Sequence, residues 1–201
     1  MKVLAISGSP RKNGNTALLL SKALEGAQEA GAETELFSVA GKDLRGCDGC
    51  WACVKTGKCH LKDDLEPLYG LMQEADGIIF GTPIYFWGMT AQMKAIIDRS
   101  IALNHAERTL ASKVAGVVAV AGSLGLVDAL KDFSFYIIQR KMLPAHQVAA
   151  YVRDPKELAD MEHCMKASYE MGRQIVALIK MGFRYPPEFT RGPGAFGTWI
   201  K

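Results

Sequence analysis

The sequence predicts an α/β protein: a parallel β-sheet covered by helices on both sides. The main observation is alternation. Short apolar runs are followed by longer segments of helical period, the pattern of successive strand–helix units. A second observation is the first run, Lys2 to Ser7 (KVLAIS), a short apolar run that ends at a glycine; that suits a strand buried on both faces. A third is length, since 201 residues fit one domain with a sizeable core.

Taken in order, Thr16 to Ala30 places Leu18, Leu19, Ala23, Leu24 and Ala27 on one helical face, with Asn15 as N-cap. Ala32 to Val39 is the second strand. An irregular cysteine-rich insertion runs from Asp43 to Lys62, and Asp63-Asp64 then opens a helix to about Ala75, with Pro67 tolerated near its first turn. Gly77 to Thr82 is the third strand and Met89 to Leu103 a helix. Lys113 to Ala121 is the fourth strand, backed by a helix from Val127 to Met142. His146 to Val152 is the fifth strand, and one long helix from Lys156 to Met181 closes the domain at residue 182. The tail, 183–201, carries prolines, glycines and aromatics without regular period and is expected at an oligomer interface. No repeat, low-complexity segment or linker divides the chain.

Composition excludes several classes of function. Apolar residues make up 49% and charged residues 22%, which argues against disorder, and a net charge of +3 is too small to imply a nucleic-acid or anionic-membrane partner. No apolar stretch approaches the roughly 20 residues of a membrane span. The apolar start is too short for a secretory signal, so a soluble cytoplasmic protein is expected. Nucleophile-elbow and His-Glu-x-x-His patterns are lacking, which leaves hydrolase chemistry without support. His105, His146 and His163 share no spacing with carboxylates and read as structural or surface groups.

Three loops are candidates for ligand contact, because open parallel sheets bind ligands beyond the carboxyl ends of their strands. The first is SGSPRKNGNT, Ser7 to Thr16, joining the first strand to the first helix. Its backbone N–H groups and helix N-terminus suit a phosphate. Ser7, Ser9, Asn15 and Thr16 supply short hydrogen-bonding side chains, Arg11 adds charge, and Pro10 lies between them. The loop has neither the Walker sequence nor the Gly-x-Gly-x-x-Gly fingerprint; the plain alternative is a turn of small residues with no ligand. The second is TPIYFWGMT, where Pro83, Ile84, Tyr85, Phe86, Trp87 and Gly88 offer apolar walls and backbone groups to a flat aromatic ligand. The alternative there is packing beneath the loop or in a subunit interface. The third is AGSLGL, where Gly122, Ser123 and Gly125 permit close backbone approach.

These segments, with the cysteine insertion running into Lys62-Asp63-Asp64 and the stretch GTPIYFWGMTAQMKAIIDRS, occur in an order and spacing that resemble the flavodoxin-like NAD(P)H-dependent FMN reductase superfamily. The cysteines make the chain similar to its iron–sulfur flavoprotein family. The resemblance covers residues 1 to about 155 and implies a five-stranded flavodoxin-type sheet of order 2-1-3-4-5 with FMN at its carboxyl end. It assigns Ser9, Arg11, Asn15 and Thr16 to the phosphate loop, Pro83 to Gly88 to the isoalloxazine loop, and Gly122 and Ser123 to the other flavin edge. The third loop departs from the family's richer glycine run at Leu124 and Leu126. Lys94, Asp98 and Arg99 match a lysine and an Asp-Arg pair of the family and read as structural or interface groups.

Four of the five cysteines lie within thirteen residues, as Cys47-x2-Cys50-x2-Cys53-x5-Cys59. Thiols this close in a chain without an export signal read as metal ligands, not as a disulfide framework. The first three are spaced like the C-x2-C-x2-C run of bacterial ferredoxins, and Cys59 is near enough to complete a single [4Fe–4S] cluster. Gly46, Gly49 and Gly57 let the backbone turn around it. Zinc is the main competitor, with His60 adjacent; free thiols are the third reading. Cys164, mid-helix, reads as a packing residue.

FMN passes electrons in pairs or singly, and an iron–sulfur cluster moves one at a time. The combination predicts an electron-transfer flavoprotein fed by a ferredoxin-like donor or by NAD(P)H. The family resemblance implies a homodimer or homotetramer in which one subunit's cluster approaches another's FMN. Two alternatives stand beside it: an NAD(P)H-dependent FMN or quinone reductase without a cluster, and a zinc-stabilised flavin-binding module.

Overall fold

The computed structural model of the protein describes residues 1–103 and 110–190. His105 and the last eleven residues of the expected tail lie outside them. The strands are β1 (Lys2–Ser7), β2 (Glu33–Ser38), β3 (Gly77–Tyr85), β4 (Gly88–Met89), β5 (Val114–Ala121) and β6 (Leu143–Tyr151). Five of them form a parallel sheet in the order β2-β1-β3-β5-β6, and β4 pairs antiparallel with the end of β3. This is the flavodoxin-type order, with a sixth, two-residue strand added by a hairpin.

The helices are α1 (Asn15–Glu29), α2 (Ala52–Thr56), α3 (Glu66–Glu74), α4 (Ala91–Arg99), α5 (Leu126–Gln139), α6 (Pro155–Ala159), α7 (Glu162–Lys180) and α8 (Pro187–Thr190), and a 3₁₀ turn, Ser100–Leu103, extends α4. Alternate residues of the central strands feed two cores. Leu4, Ile6, Ile78 and Phe80 meet α3, α4 and α5 through Leu68, Met72, Ile96 and Phe133. Val3, Ala5, Ile79 and Val118 meet α1 and α7 through Leu19, Leu20, Met171 and Ile175. Strands covered on both faces need no polar alternation, which is why β1 and β5 read as continuous apolar runs. The α1–α7 crossing is unusually close. A Cβ on Gly172 would lie 1.8 Å from the Ala23 carbonyl oxygen, and one on Gly26 would lie 2.0 Å from that of Tyr169. Only glycine fits at either point.

Several boundaries differ from expectation. The closing helix is two helices, because Met161 leaves helical geometry (φ −82°, ψ 74°) between α6 and α7. The expected N-cap Asn15 is instead the first helical residue, and Gly14 precedes α1 in extended conformation. The third strand continues three residues beyond Thr82, converting the expected loop into a hairpin. Thr90 delays the next helix to Ala91 by capping it, its hydroxyl accepting the Met93 N–H at 3.1 Å. Asp63 and Asp64 do not open α3, which begins at Glu66 with Pro67 in its first turn; both carboxylates are taken up in closing the cysteine insertion. Among the described residues no helix is long and apolar enough to cross a membrane.

Candidate functional site

Two sites stand out, one at the carboxyl edge of the sheet and one inside the cysteine insertion. The edge site is built from three loops, two of them locked to each other by hydrogen bonds. Gly8 donates its N–H to the Gly81 carbonyl at 2.7 Å. The Thr90 hydroxyl donates to the Gly8 carbonyl at 2.7 Å, and the Thr82 hydroxyl accepts the Thr90 N–H at 3.2 Å. The phosphate-type loop after β1 and the aromatic turn after β3 are therefore held in fixed relation by buried threonines.

A cleft of about 260 Å³ opens between them, lined by Ser9, Arg11, Asn15 and Thr16 on one side and by Pro83, Ile84, Tyr85 and Gly122 on the other. It adjoins a second hollow of about 240 Å³ bounded by Ile84, Phe86, Trp87, Gly122, Ser123 and Leu124. Most of the residues singled out in the three loops thus converge. Ser7 is buried at the end of β1 instead, Pro10 is exposed on the loop's outer side, and Gly88 lies in β4 opposite Tyr85. Sequence reading missed Asn13, Gly14, Val120, Val152 and Arg153, which also line the cleft. Arg153 donates from Nε to the Gly122 carbonyl at 3.0 Å, which sets its guanidinium at the rim. Its signal was available: a basic residue just beyond the carboxyl end of a parallel strand.

The cleft fits an anion joined to a flat ring. No acidic residue sits in the first turn of α1 and no side chain caps it, so its end N–H groups and dipole face the cleft unopposed. The Ser7 hydroxyl and Asn15 Oδ1 are buried without a hydrogen-bond partner in the protein; such orphans are uncommon away from functional sites. Phe86 and Trp87 both adopt left-handed conformations (φ 46° and 66°) at the tip of the hairpin. Two consecutive bulky residues there are strained, since such turns favour Asn-Gly. Gly125 abuts this turn so closely that a Cβ would stand 2.4 Å from the Trp87 Cα.

The insertion is tied at its neck. The Asp43 N–H donates to the Asp64 carboxylate at 2.8 Å and the Arg45 N–H to that of Asp63 at 2.9 Å. Arg99, at the end of α4, grips both sides: it donates to the Asp63 carboxylate through both terminal nitrogens and to the Arg45 carbonyl at 2.9 Å. The Arg99 and Asp63 side chains are 0% and 1% exposed. Burial alone would raise the Asp63 pKa, but hydrogen bonds from Arg99 and from the Arg45 and Leu65 N–H groups outweigh it and hold the carboxyl below its ordinary value. Arg99 is correspondingly pushed up against the pull of desolvation. The expected structural role of Arg99 is now specific: it fastens the base of the cysteine loop. Lys94 pairs with Asp98 on the exposed face of α4.

Beyond the neck, Cys47, Cys50, Cys53 and Cys59 all line one cavity of about 100 Å³, shared with Trp51, His60, Arg99 and Ile101. Trp51 (φ 59°) and Gly57 (φ 68°) bracket α2 in left-handed conformations and so bend the chain around Cys53. The Cys53 thiol is raised above its usual pKa, first by burial and then by the other three cysteines. A thiol kept neutral beside three others belongs to a donor set that becomes favourable when a cation binds among them. They fit an iron–sulfur cluster. A smaller metal set overlaps it: ligand atoms of Asp48, Cys50 and His60 lie within 4.8 Å of one another, with His60 Nε2 2.7 Å from the Asp48 carboxylate. Cys164 packs beside the α1–α7 core, and burial raises its thiol pKa, as a packing residue requires.

A flavodoxin-like sheet with an anion-and-ring cleft at its carboxyl edge defines a class, the flavin-binding α/β proteins. The chain belongs to the NADPH-dependent FMN reductase family, whose model matches residues 1–152, and within it to the iron–sulfur flavoproteins. It is 50% identical to an iron–sulfur flavoprotein of Methanocaldococcus jannaschii over 61% of this chain and 63% of that one. It is 30% identical to an iron–sulfur flavoprotein of Archaeoglobus fulgidus over 93% of this chain and 84% of the relative. The fold matches a crystal structure of RosB with a bound flavin-phosphate intermediate at TM-score 0.74 and 17% identity, over 90% of this chain and 79% of that one. It also matches an archaeal flavodoxin at TM-score 0.59 and 15% identity, over 90% and 99%.

Proposed function

We propose that this chain is a flavin-dependent oxidoreductase that joins two-electron and one-electron transfer, with FMN in the edge cleft and a [4Fe–4S] cluster on Cys47, Cys50, Cys53 and Cys59. The observation that carries it is the convergence of the four thiols on one cavity above a neck fastened by Arg99. When bound, FMN exchanges electrons in pairs or singly and the cluster passes one at a time, which is the chemistry the pair supplies. The protein's share is positioning. Ser9, Arg11, Asn15, Thr16 and the α1 N-terminus hold the phosphate; Pro83 to Trp87, Gly122 and Ser123 flank the ring. Arg153 adds charge at the rim.

Electrons come from a ferredoxin-like donor or from NAD(P)H, and the protein works as a homodimer or homotetramer. Cys47, Cys50 and Trp51 are exposed, which supports a cluster that faces another molecule. The Asp48–Cys50–His60 arrangement favours a second reading, a zinc-stabilised flavin-binding module. The family description favours a third, a cluster-free reductase.

Anaerobic purification with assay of iron, acid-labile sulfide, zinc and FMN separates the three. The proposal expects about four irons and four sulfides per FMN. Cys50→Ala is expected to abolish the iron while leaving FMN bound. Wild-type protein that holds flavin alone, or zinc, overturns it.

A further inference from the structure

Beneath the cysteine cavity lie two polar atoms for which the protein supplies no partner. One is the Tyr69 hydroxyl, the other Arg99 Nε; both are buried and neither makes a hydrogen bond. Tyr69 sits on α3 between Leu68 and Met72, facing the core, and is 9% exposed. Cys53 and Cys59 pack against the same apolar cluster from the side of the insertion. Arg99 forms part of the cavity wall.

A buried hydroxyl with no partner is a net cost, and phenylalanine would fill the same apolar place without it. The hydroxyl is explained if it serves a group that occupies the cavity. Cys59 and Arg99 are the polar side chains that stand beside the phenol, which like any tyrosine carries its proton at neutral pH. A phenol that keeps its proton is a donor, and a cluster-bound thiolate is an acceptor in want of donors. Arg99 has only its Nε left to offer, because both of its terminal nitrogens are already committed to the neck of the insertion.

We propose that Tyr69 donates its hydroxyl hydrogen bond to the Cys59 sulfur of the assembled cluster, with the Arg99 charge alongside, and that this contact raises the cluster's reduction potential. The inference rests on the cluster reading above. Reduction adds one electron to the cluster and breaks no bond; the proton stays on the Tyr69 oxygen throughout. The added negative charge is shared by the cysteine sulfurs, so a donor at Cys59 stabilises the reduced state more than the oxidised one. Hydrogen bonds to the sulfurs are among the main determinants of such potentials. Tyr69 is thus a positioning residue for charge, outside the ligand set, and its effect falls on the cluster and spares the flavin cleft.

The test is Tyr69→Phe in the full chain, reconstituted anaerobically beside the wild type. Iron, sulfide and FMN are assayed, and the two midpoints are read by potentiometric titration, the cluster by electron paramagnetic resonance and the flavin by absorbance. The expected result is full cluster and FMN content, an unchanged flavin midpoint, and a roughly tenfold less favourable one-electron reduction of the cluster, about 59 mV more negative. An unchanged cluster midpoint at full loading overturns the inference. Loss of the cluster from the variant also overturns it, because it makes Tyr69 part of assembly and not of tuning. Wild-type protein that takes up FMN but never iron and sulfide instead defeats the cluster reading itself.

Discussion

Arg99 and Asp63 form the tightest electrostatic contact of the insertion, and their effect is decided by what breaking them leaves behind. A fully buried ion pair contributes little net stability when whole, since desolvation offsets attraction. Removing one partner strands a charge and costs about 3–5 kcal/mol. Asp63→Asn keeps the shape and strands the Arg99 guanidinium, so it is expected to destabilise the chain by about that much in urea denaturation. Amide exchange at Arg45 and Asp64 is expected to rise more than in β1. The same pair sets an acid limit. The Asp63 carboxyl is held below its ordinary value of about 3.9. Its contribution is therefore complete above that pH and is lost as pH falls through the lowered folded value. The insertion is expected to loosen in acid, and in the Asp63→Asn variant this acid step should vanish.

At the level of elements, the hairpin of β3 and β4 shows where strain is stored. Phe86 and Trp87 hold left-handed conformations that Asn-Gly would adopt freely, and Phe86 is 93% exposed. A sequence selected for stability alone would not keep them. The double variant Phe86→Asn, Trp87→Gly is expected to raise thermal stability by roughly 1–3 kcal/mol through relieved strain. It is also expected to weaken FMN binding about tenfold, roughly 1.4 kcal/mol, by fluorescence titration. Stability gained with no loss of flavin affinity would remove the turn from the proposed site. This hairpin was hidden in the sequence because TPIYFWGMT lacks a turn dipeptide, so it reads as a loop. The parallel sheet was legible because doubly covered strands leave unbroken apolar runs, and the cysteines because thiol spacing is a local property. Arg99, Asp63 and Tyr69 were not legible as site residues. Their roles depend on contacts between segments far apart in the chain, such as Arg99 with Arg45, which a local pattern does not record. The acidic pair Asp63-Asp64 shows the same limit: it has the look of a helix start, but long-range donors claim both carboxylates.

For the whole molecule the outstanding surface runs from the hairpin along α5. Phe86 and Trp87 share a hollow with Leu124. Val127 and Ile138, one helical face apart by eleven residues, follow at 66% and 64% exposure. Apolar groups in line beside a proposed cofactor cleft mark an association surface more often than a free one, and a second copy of the chain is the partner that the proposed oligomer requires. If this face joins subunits, charges placed on it prevent association and leave the fold alone, because neither side chain enters a core. The variant Val127→Lys, Ile138→Glu is expected to elute and scatter light at the single-chain mass, with FMN content unchanged and thermal stability lowered only by the lost association. Electron flow from cluster to flavin, followed by stopped-flow absorbance, should then slow sharply in the monomer if the transfer crosses between subunits. A dimer that persists at wild-type strength assigns the face another role, and a wild-type monomer removes the oligomer from the proposal altogether.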